Sequence, residues 1–346
     1  MPKNILILTP FYPPNIGGAE TFTEGLVKEA SRWNHITVLT FHPFQIKSKP
    51  YEEYYSSRGS LKIYRMAWWV RQSKTWQGTG WINVLSVFPN LMLVSLFLLI
   101  KKRYQIIHAQ GLLSGFVAVL LKKLFKVKVF ITLLALYEFE KKSDLFNECV
   151  YFVLKNCDII FVEGENGKKD IEIFKQEEKV RVFQHWVDQD IFKPPRKRYR
   201  DKIRVLFIGR PIPEKGRHIV EGAERLLNDK RYEFTYVTET KYSELPKIYQ
   251  AHHICCVPSL YAEGFSRVVA EASSCGCAVI TSNRGSLPEM TNGWAVSIEP
   301  TTYNFSKSIS EMTAEILHAY QVHSFHWAEK YFNSKNSEVF LNEYSR

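Results

Sequence analysis

The sequence predicts an α/β protein of two domains, each built on a parallel sheet. Three observations carry that expectation. The chain has 346 residues, more than a single core usually serves. Short β-rich runs alternate with helical runs of about ten to fifteen residues, the pattern of βαβ units. The alternation breaks once, at the polar, basic stretch Asp190–Arg204 with Pro194 and Pro195, and then resumes.

In the first half, strands are expected at Ile5–Thr9, His35–Phe41, Leu61–Met66, Gln105–His108, Val127–Thr132, Asp158–Val162 and Val180–His185. Helices fit at Ala19–Arg32, Val84–Arg103, Leu112–Phe125, Leu145–Asn156 and Gly167–Lys175. In the second half, strands are expected at Val205–Ile208, Phe234–Val237, Ile254–Val257, Ala278–Thr281 and Trp294–Ile298. Helices there fit Arg217–Leu227, Leu245–His252 and Arg267–Ser274, and the tail from Ser306 onward reads as helix. The expected domains are residues 1–188 and 189–325, with 326–346 a helix crossing back to the first. Two such domains side by side leave a cleft at the C-terminal ends of their strands, where α/β folds bind ligands.

Hydrophobic residues make up 45% and charged residues 23%, which excludes a disordered chain. The net charge of +11 asks for an anionic partner. The charge is uneven: residues 1–188 carry a net of +8 and residues 189–346 a net of +3. Between Tyr54 and Tyr137 there are twelve basic residues and no acidic one. Trp68, Trp69, Trp76 and Trp81 share that stretch. Tryptophan with Lys and Arg is what a lipid headgroup interface selects, so an anionic membrane surface is an expected partner there. A basic acceptor groove for an anionic glycan is the competing account. No recognised nucleic-acid module is present, so no nucleic acid is expected.

No signal peptide opens the chain, and Val84–Ile100, with Pro89, Asn90, Ser86 and Ser95, reads as a buried helix rather than a membrane span. The expected location is cytoplasmic, peripheral on the membrane face. The six cysteines read as small buried hydrophobes.

Three segments carry chemistry. In residues 257–282 a strand ends at Ser259, a loop holds Glu263 and Gly264, and Ser266 is placed to cap a helix that stops at Gly276. A helix N-terminus suits a diphosphate, whereas carboxylates suit hydroxyls. Glu263 and Glu271 are therefore candidates for sugar and ribose contacts. An Arg267–Glu271 pair at i,i+4 spacing is the plainer account of Glu271. In residues 205–227 a strand ends at Gly209, and Arg210 and Lys215 occupy the turn before a helix, where a βα loop meets a phosphate. Both sit in a loop, so replacing either is expected to leave folding unchanged. In residues 8–26 a strand leads through Pro10, Pro13 and Pro14 to Gly17 and Gly18, a pair that lets backbone N–H groups approach a ligand.

Together these segments resemble the retaining glycosyltransferases of the GT-B fold, family 4, over about Ile5 to Met290. The family's E-x7-E motif appears as Glu263 and Glu271, its diphosphate clamp as Arg210 and Lys215, and its Gly-Gly loop as Gly17 and Gly18. His185-Trp186-Val187-Asp188 resembles its interdomain crossing. The resemblance implies two Rossmann-like domains facing across a cleft, the first for the acceptor and the second for a nucleotide diphosphate-sugar. Glu263 would hold sugar hydroxyls with the backbone of Gly264, Phe265 and Ser266, and Glu271 the ribose. Arg210 and Lys215 would neutralise the leaving diphosphate, so neither metal nor cofactor is expected; the nucleotide-sugar is a substrate.

Three departures stand out. Where the family has a sugar-contacting His, this chain has Leu134, with Tyr137 and Glu138 the nearest stand-ins. The Gly after the Glu-Gly-Phe run is Ser266. The stretch Tyr232–Tyr249 is short, so the base cannot be read. Asp188-Gln189-Asp190 has metal-motif spacing but the wrong place for one. The expected function is hexosyl transfer to a glycan or lipid-linked acceptor; the alternative is a degenerate relative that binds without turnover.

Overall fold

The computed structural model describes residues 1–15, 17–43, 55–67, 81–195 and 202–346. They form two compact units, Met1–Phe183 with Ser337–Arg346, and Gln184–Asn336. The boundaries differ from the expected 188, 325 and 326. The chain leaves unit 1 at the end of its last strand. At the other end, the helix over 314–331 stays with unit 2 and only the final segment belongs to unit 1.

Unit 1 holds an eight-stranded sheet in the order β3-β4-β2-β1-β5-β6-β7-β8. The strands are β1 (Asn4–Leu8), β2 (His35–Phe41), β3 (Tyr55–Arg58), β4 (Leu61–Met66), β5 (Ile106–Gln110), β6 (Lys128–Leu133), β7 (Ile159–Glu163) and β8 (Val180–Phe183). All pairings are parallel except β3 on β4. Its helices are α1 (Gly18–Ala30), α2 (Trp81–Lys101), α3 (Leu112–Lys122), α4 (Asp144–Asn156) and α5 (Gly164–Ile171). The central strands are buried along nearly their whole length, because helices cover both faces of a parallel sheet. Strand order reverses between β1 and β5, the switch point of this sheet.

Unit 2 repeats the scheme with five parallel strands in the order β10-β9-β11-β12-β13. These are β9 (Ile203–Ile208), β10 (Tyr232–Val237), β11 (Ile254–Val257), β12 (Ala278–Ser282) and β13 (Val296–Ile298). Its helices are α6 (Arg217–Leu227), α7 (Leu245–Ala251), α8 (Arg267–Ser274), α9 (Leu287–Thr291), α10 (Thr302–Ser310) and α11 (Ala314–Tyr331). The last helix, α12 (Glu338–Ser345), returns to unit 1. The expected tail helix is thus three helices. Thr301 and Thr313 each accept a hydrogen bond from the first turn that follows, which starts α10 and α11.

Five cysteines are buried, as expected of packing residues, whereas Cys149 is exposed and departs from that reading. Among the described residues, no helix is long and apolar enough to cross a membrane. Trp68, Trp69 and Trp76 lie outside the described residues.

Candidate active site

In unit 2 the strand order reverses between β9 and β11, so the loops leaving their C-terminal ends meet at the switch point. The β9 loop carries Arg210 and Lys215, and the β11 loop carries Glu263. Both crossings depend on glycine. Gly216 has φ +72°, and a Cβ there would lie 2.2 Å from the carbonyl oxygen of Pro258. Gly285, φ +58°, comes equally close to Glu263: a Cβ would lie 2.4 Å from its carbonyl oxygen. Leu260 N–H donates to the Glu214 carbonyl at 2.8 Å, and Ser286 N–H to the Glu263 carbonyl at 2.8 Å. The β11 loop is thereby fixed between its two neighbours.

That packing brings Lys215 Nζ to 2.8 Å from Glu263 Oε1, although 48 residues separate them. The Glu263 side chain is 4% exposed and that of Lys215 19%. Ser259 Oγ donates to the same Oε1. The Lys215 ammonium also sits 5.0 Å from the Tyr261 ring centroid. Burial lowers the Lys215 pKa, but Glu263 and Tyr261 outweigh it and the net shift is upward, so the side chain is an ammonium at neutral pH. Oε2 of Glu263 takes no hydrogen bond from the described residues. Arg210 is exposed, and its side chain has no hydrogen bond or ion pair among the described residues.

Glu271 is differently placed. Its Oε1 accepts from Arg267 Nε at 3.1 Å and Oε2 accepts from the Tyr249 hydroxyl at 3.1 Å. Arg267 also donates to the Tyr242 hydroxyl at 3.2 Å. Burial raises the Glu271 pKa more than Arg267 and Tyr249 lower it. Both oxygens thus have protein partners. Ser266 stands at the N-cap of α8 with extended backbone, but its side chain makes no capping bond, against expectation. Its N–H points instead to the Met290 sulfur at 3.2 Å, inside the core. Phe265 stacks on His185, centroids 4.2 Å apart, and meets Phe332 edge-on. Gly264 is half-buried in the same loop.

In unit 1, Gly17 caps α1 with extended backbone. A Cβ there would lie 2.2 Å from the carboxylate end of the flexible Glu20 side chain, which can turn aside, so the contact does not by itself require glycine; Gly18 opens the helix. Leu134 follows β6 and is half-buried. Asp170 organises the next turn, accepting from the N–H groups of Tyr137, Glu138 and Phe139 at 2.6, 3.2 and 3.1 Å. Burial pushes the Tyr137 hydroxyl up to about 12, and Glu138 pairs with Lys141. The Asp188 carboxylate accepts from Asp190 N–H at 3.2 Å, so that triplet closes a turn.

Sequence reading missed Ser259 and Tyr249 as partners of the two glutamates, and Tyr242 as a partner of Arg267. Only Ser259 had a signal, as the last residue of the strand before the loop.

Residues 173–317 match the family described as glycosyl transferases group 1. That segment holds Arg210, Lys215, Glu263 and Glu271. The motif resemblance and the family match agree. Among curated proteins, the phosphatidylinositol N-acetylglucosaminyltransferase GPI3 subunit of Saccharomyces cerevisiae is 22% identical, over 89% of this chain and 73% of its own. Among solved structures, sucrose-phosphate synthase of Thermosynechococcus elongatus matches with TM-score 0.81 at 17% identity, covering 99% and 98% of the two chains. Anabaena HepE in complex with UDP-glucose matches with TM-score 0.73 at 15% identity, covering 99% and 100%. At these identities the structural likeness establishes the fold, which is GT-B.

Proposed function

We propose that the protein is a retaining glycosyltransferase that moves a hexosyl group from a nucleotide diphosphate-sugar to a glycan or lipid-linked acceptor. The single observation that carries this reading is the Lys215–Glu263 pair at the switch point of unit 2. An ammonium there offers charge to a diphosphate, and the spare Oε2 of Glu263 offers an acceptor to a sugar hydroxyl. Arg210, exposed on the same loop, has no competing acid among the described residues. The N–H groups of the first turn of α8 lack a side-chain cap, which suits a phosphate oxygen. Glu271 would reach a ribose once Arg267 turns aside.

In the reaction, the acceptor hydroxyl oxygen bonds to the anomeric carbon on the face from which the diphosphate leaves. The C–O bond to phosphate breaks, its electron pair stays on the phosphate, and that oxygen takes the acceptor proton. Lys215 and Arg210 offset the charge that develops. The acceptor belongs to unit 1, whose basic stretch Tyr54–Tyr137 would hold an anionic membrane surface from the cytoplasmic side. The UDP-glucose bound to HepE and the N-acetylglucosaminyl group in the name of the GPI3 subunit make nucleotide-linked glucose and N-acetylglucosamine the first donors to try.

A thermal-shift screen of UDP-, GDP-, ADP- and dTDP-sugars tests the reading, since ligand at a hundred times its Kd stabilises a fold by about 2.7 kcal/mol. No shift with any donor would exclude it. A shift without release of nucleoside diphosphate to any acceptor would favour a binding protein, the reading that Leu134 favours.

A further inference from the structure

Unit 1 contains a cavity of about 500 Å³ at the N-terminal edge of its sheet, where β1, β5 and β6 begin. Lys3, Arg103, Lys122, Lys126 and Lys128 line it beside Tyr104, and no carboxylate lines it among the described residues. The loops that carry Gly17, Gly18 and Leu134 leave the opposite edge of the same sheet, so this is a different place from the acceptor end.

Part of the charge has a structural account. Cations favour helix C-termini, and Lys122 ends α3 while donating to the Asn156 carbonyl at 3.1 Å and pairing with Asp158 at 2.7 Å. That account does not reach Lys3, Lys126 or Lys128, which lie beside strand starts and have no ion pair among the described residues. Burial, and then the charge of Lys128, lowers the pKa of Lys3, so the cluster is repulsive as it stands. The rim is apolar. Ile100 is 70% exposed and Leu124 68%, each within three residues of a lining cation. Leu93 and Phe97 continue the stripe along α2 at helical spacing, 58% and 52% exposed. A soluble anion gains nothing from such a rim, whereas a bilayer takes both the charge and the apolar side chains.

We propose that this cavity seats the phosphate of an anionic lipid headgroup, with Ile100, Leu124 and the α2 stripe entering the acyl boundary. The inference deepens the membrane part of the function proposed above and rests on it. It moves the contact from the whole basic stretch to one cavity that recruits Lys3 from outside it.

The test is sedimentation with phosphatidylcholine vesicles, with and without phosphatidic acid, at low salt and without donor or acceptor. The wild-type chain should bind only the acidic vesicles. Lys3→Gln/Lys126→Gln/Lys128→Gln should weaken that by about a hundredfold, from roughly 1 kcal/mol per cation. Lys142→Gln/Lys169→Gln/Lys175→Gln, which removes equal charge elsewhere on unit 1, should bind as wild type. Ile100→Ser/Leu124→Ser should weaken vesicle binding, and glycerol 3-phosphate should compete poorly. Equal losses in the two triple variants would overturn the cavity while keeping a membrane-bound enzyme. Glycerol 3-phosphate competing as well as vesicles, with the rim variant unaffected, would make it a soluble-anion site and overturn the proposal. Absence of vesicle binding would overturn it as well. The donor-induced thermal shift, measured on the same variants, should stay unchanged; its loss in every chain, wild type included, would count against the glycosyltransferase instead.

Discussion

The Tyr344 hydroxyl lies 2.5 Å from Nδ1 of His108, which joins α12 to β5 in the middle of the first sheet. The other ring nitrogen meets Thr132 Oγ1 at 2.6 Å. Phe130, Phe161 and Phe340 surround the imidazole. Arg181 adds an ion pair to Glu343 at 2.6 Å. The final ten residues are therefore held to unit 1 by specific polar contacts as well as by burial of Phe340.

Tyr344→Phe keeps the ring and removes one partner of a buried histidine. The expected cost is about 1–3 kcal/mol, the penalty for an unsatisfied buried polar group. Urea unfolding followed by fluorescence reads it directly, and an unchanged midpoint would mean the bond contributes nothing.

His108 also sets a pH dependence. Burial pushes its pKa down from 6.5 to about 3, so the folded protein keeps it neutral. The unfolded chain binds the proton first as pH falls. The contribution is complete above pH 6.5 and is lost progressively between 6.5 and about 3, at about 1.4 kcal/mol per unit. His108→Gln should be less stable at pH 7 but should lack this slope. Parallel stability curves for the two chains from pH 7 to 5 would remove His108 from the account.

The two cations of the proposed clamp should behave differently. Arg210→Ala should lower turnover or donor affinity about ten- to a hundredfold, the worth of one charge-assisted hydrogen bond, and leave the melting temperature unchanged. Lys215→Ala should do the same to activity but also destabilise, by about 3 kcal/mol, because it strands the buried Glu263 carboxylate. The loop position alone suggested no folding cost; the ion pair to Glu263 reverses that expectation. Turnover within about twofold of wild type for Arg210→Ala would exclude it from the clamp.

Much of this was legible in the sequence, for identifiable reasons. Strands such as Ile5–Leu8 and Ile254–Val257 sit between helical layers and read as continuous apolar runs. β3 did not, because Tyr55–Arg58 is an exposed edge strand with no apolar alternation. The Arg267–Glu271 pair was legible from its spacing along one helix. Lys215 with Glu263, and Lys3 with Lys128, were not: the first needs the packing of loops that Gly216 and Gly285 permit, the second the parallel alignment of β1, β5 and β6. Ser266 shows the opposite failure. It has the residue type and position of a cap, but its hydroxyl accepts no bond from the first turn of α8.

Activity should survive EDTA. Two cations and the uncapped first turn of α8 can neutralise a diphosphate without a divalent ion. Asp188 and Asp190, which have metal-motif spacing, lie in a turn in which the Asp188 carboxylate accepts from the Asp190 N–H. Loss of activity in EDTA, restored by Mn²⁺ or Mg²⁺, would require a metal site and set the proposed clamp aside.

The two glutamates should divide the donor between them. Glu263 has a spare oxygen beside Lys215, so Glu263→Gln should weaken a sugar nucleotide more than the matching nucleoside diphosphate. Glu271 is held at both oxygens by Arg267 and Tyr249, and it can serve a ribose only by exchanging the arginine for a hydroxyl. Glu271→Gln should therefore weaken both ligands by a similar factor. A third variant separates ribose contact from mere scaffolding: Arg267→Met leaves Glu271 in place without its cation, at a folding cost like that of Lys215→Ala, so binding is read per folded molecule. If Glu271 serves the ribose, that change should tighten or preserve nucleotide binding. If the ion pair only braces α8, it should weaken binding as Glu271→Gln does. Calorimetric titration of the three variants with UDP and UDP-glucose reads all of these, and equal losses on both ligands from both glutamate changes would end the division of labour.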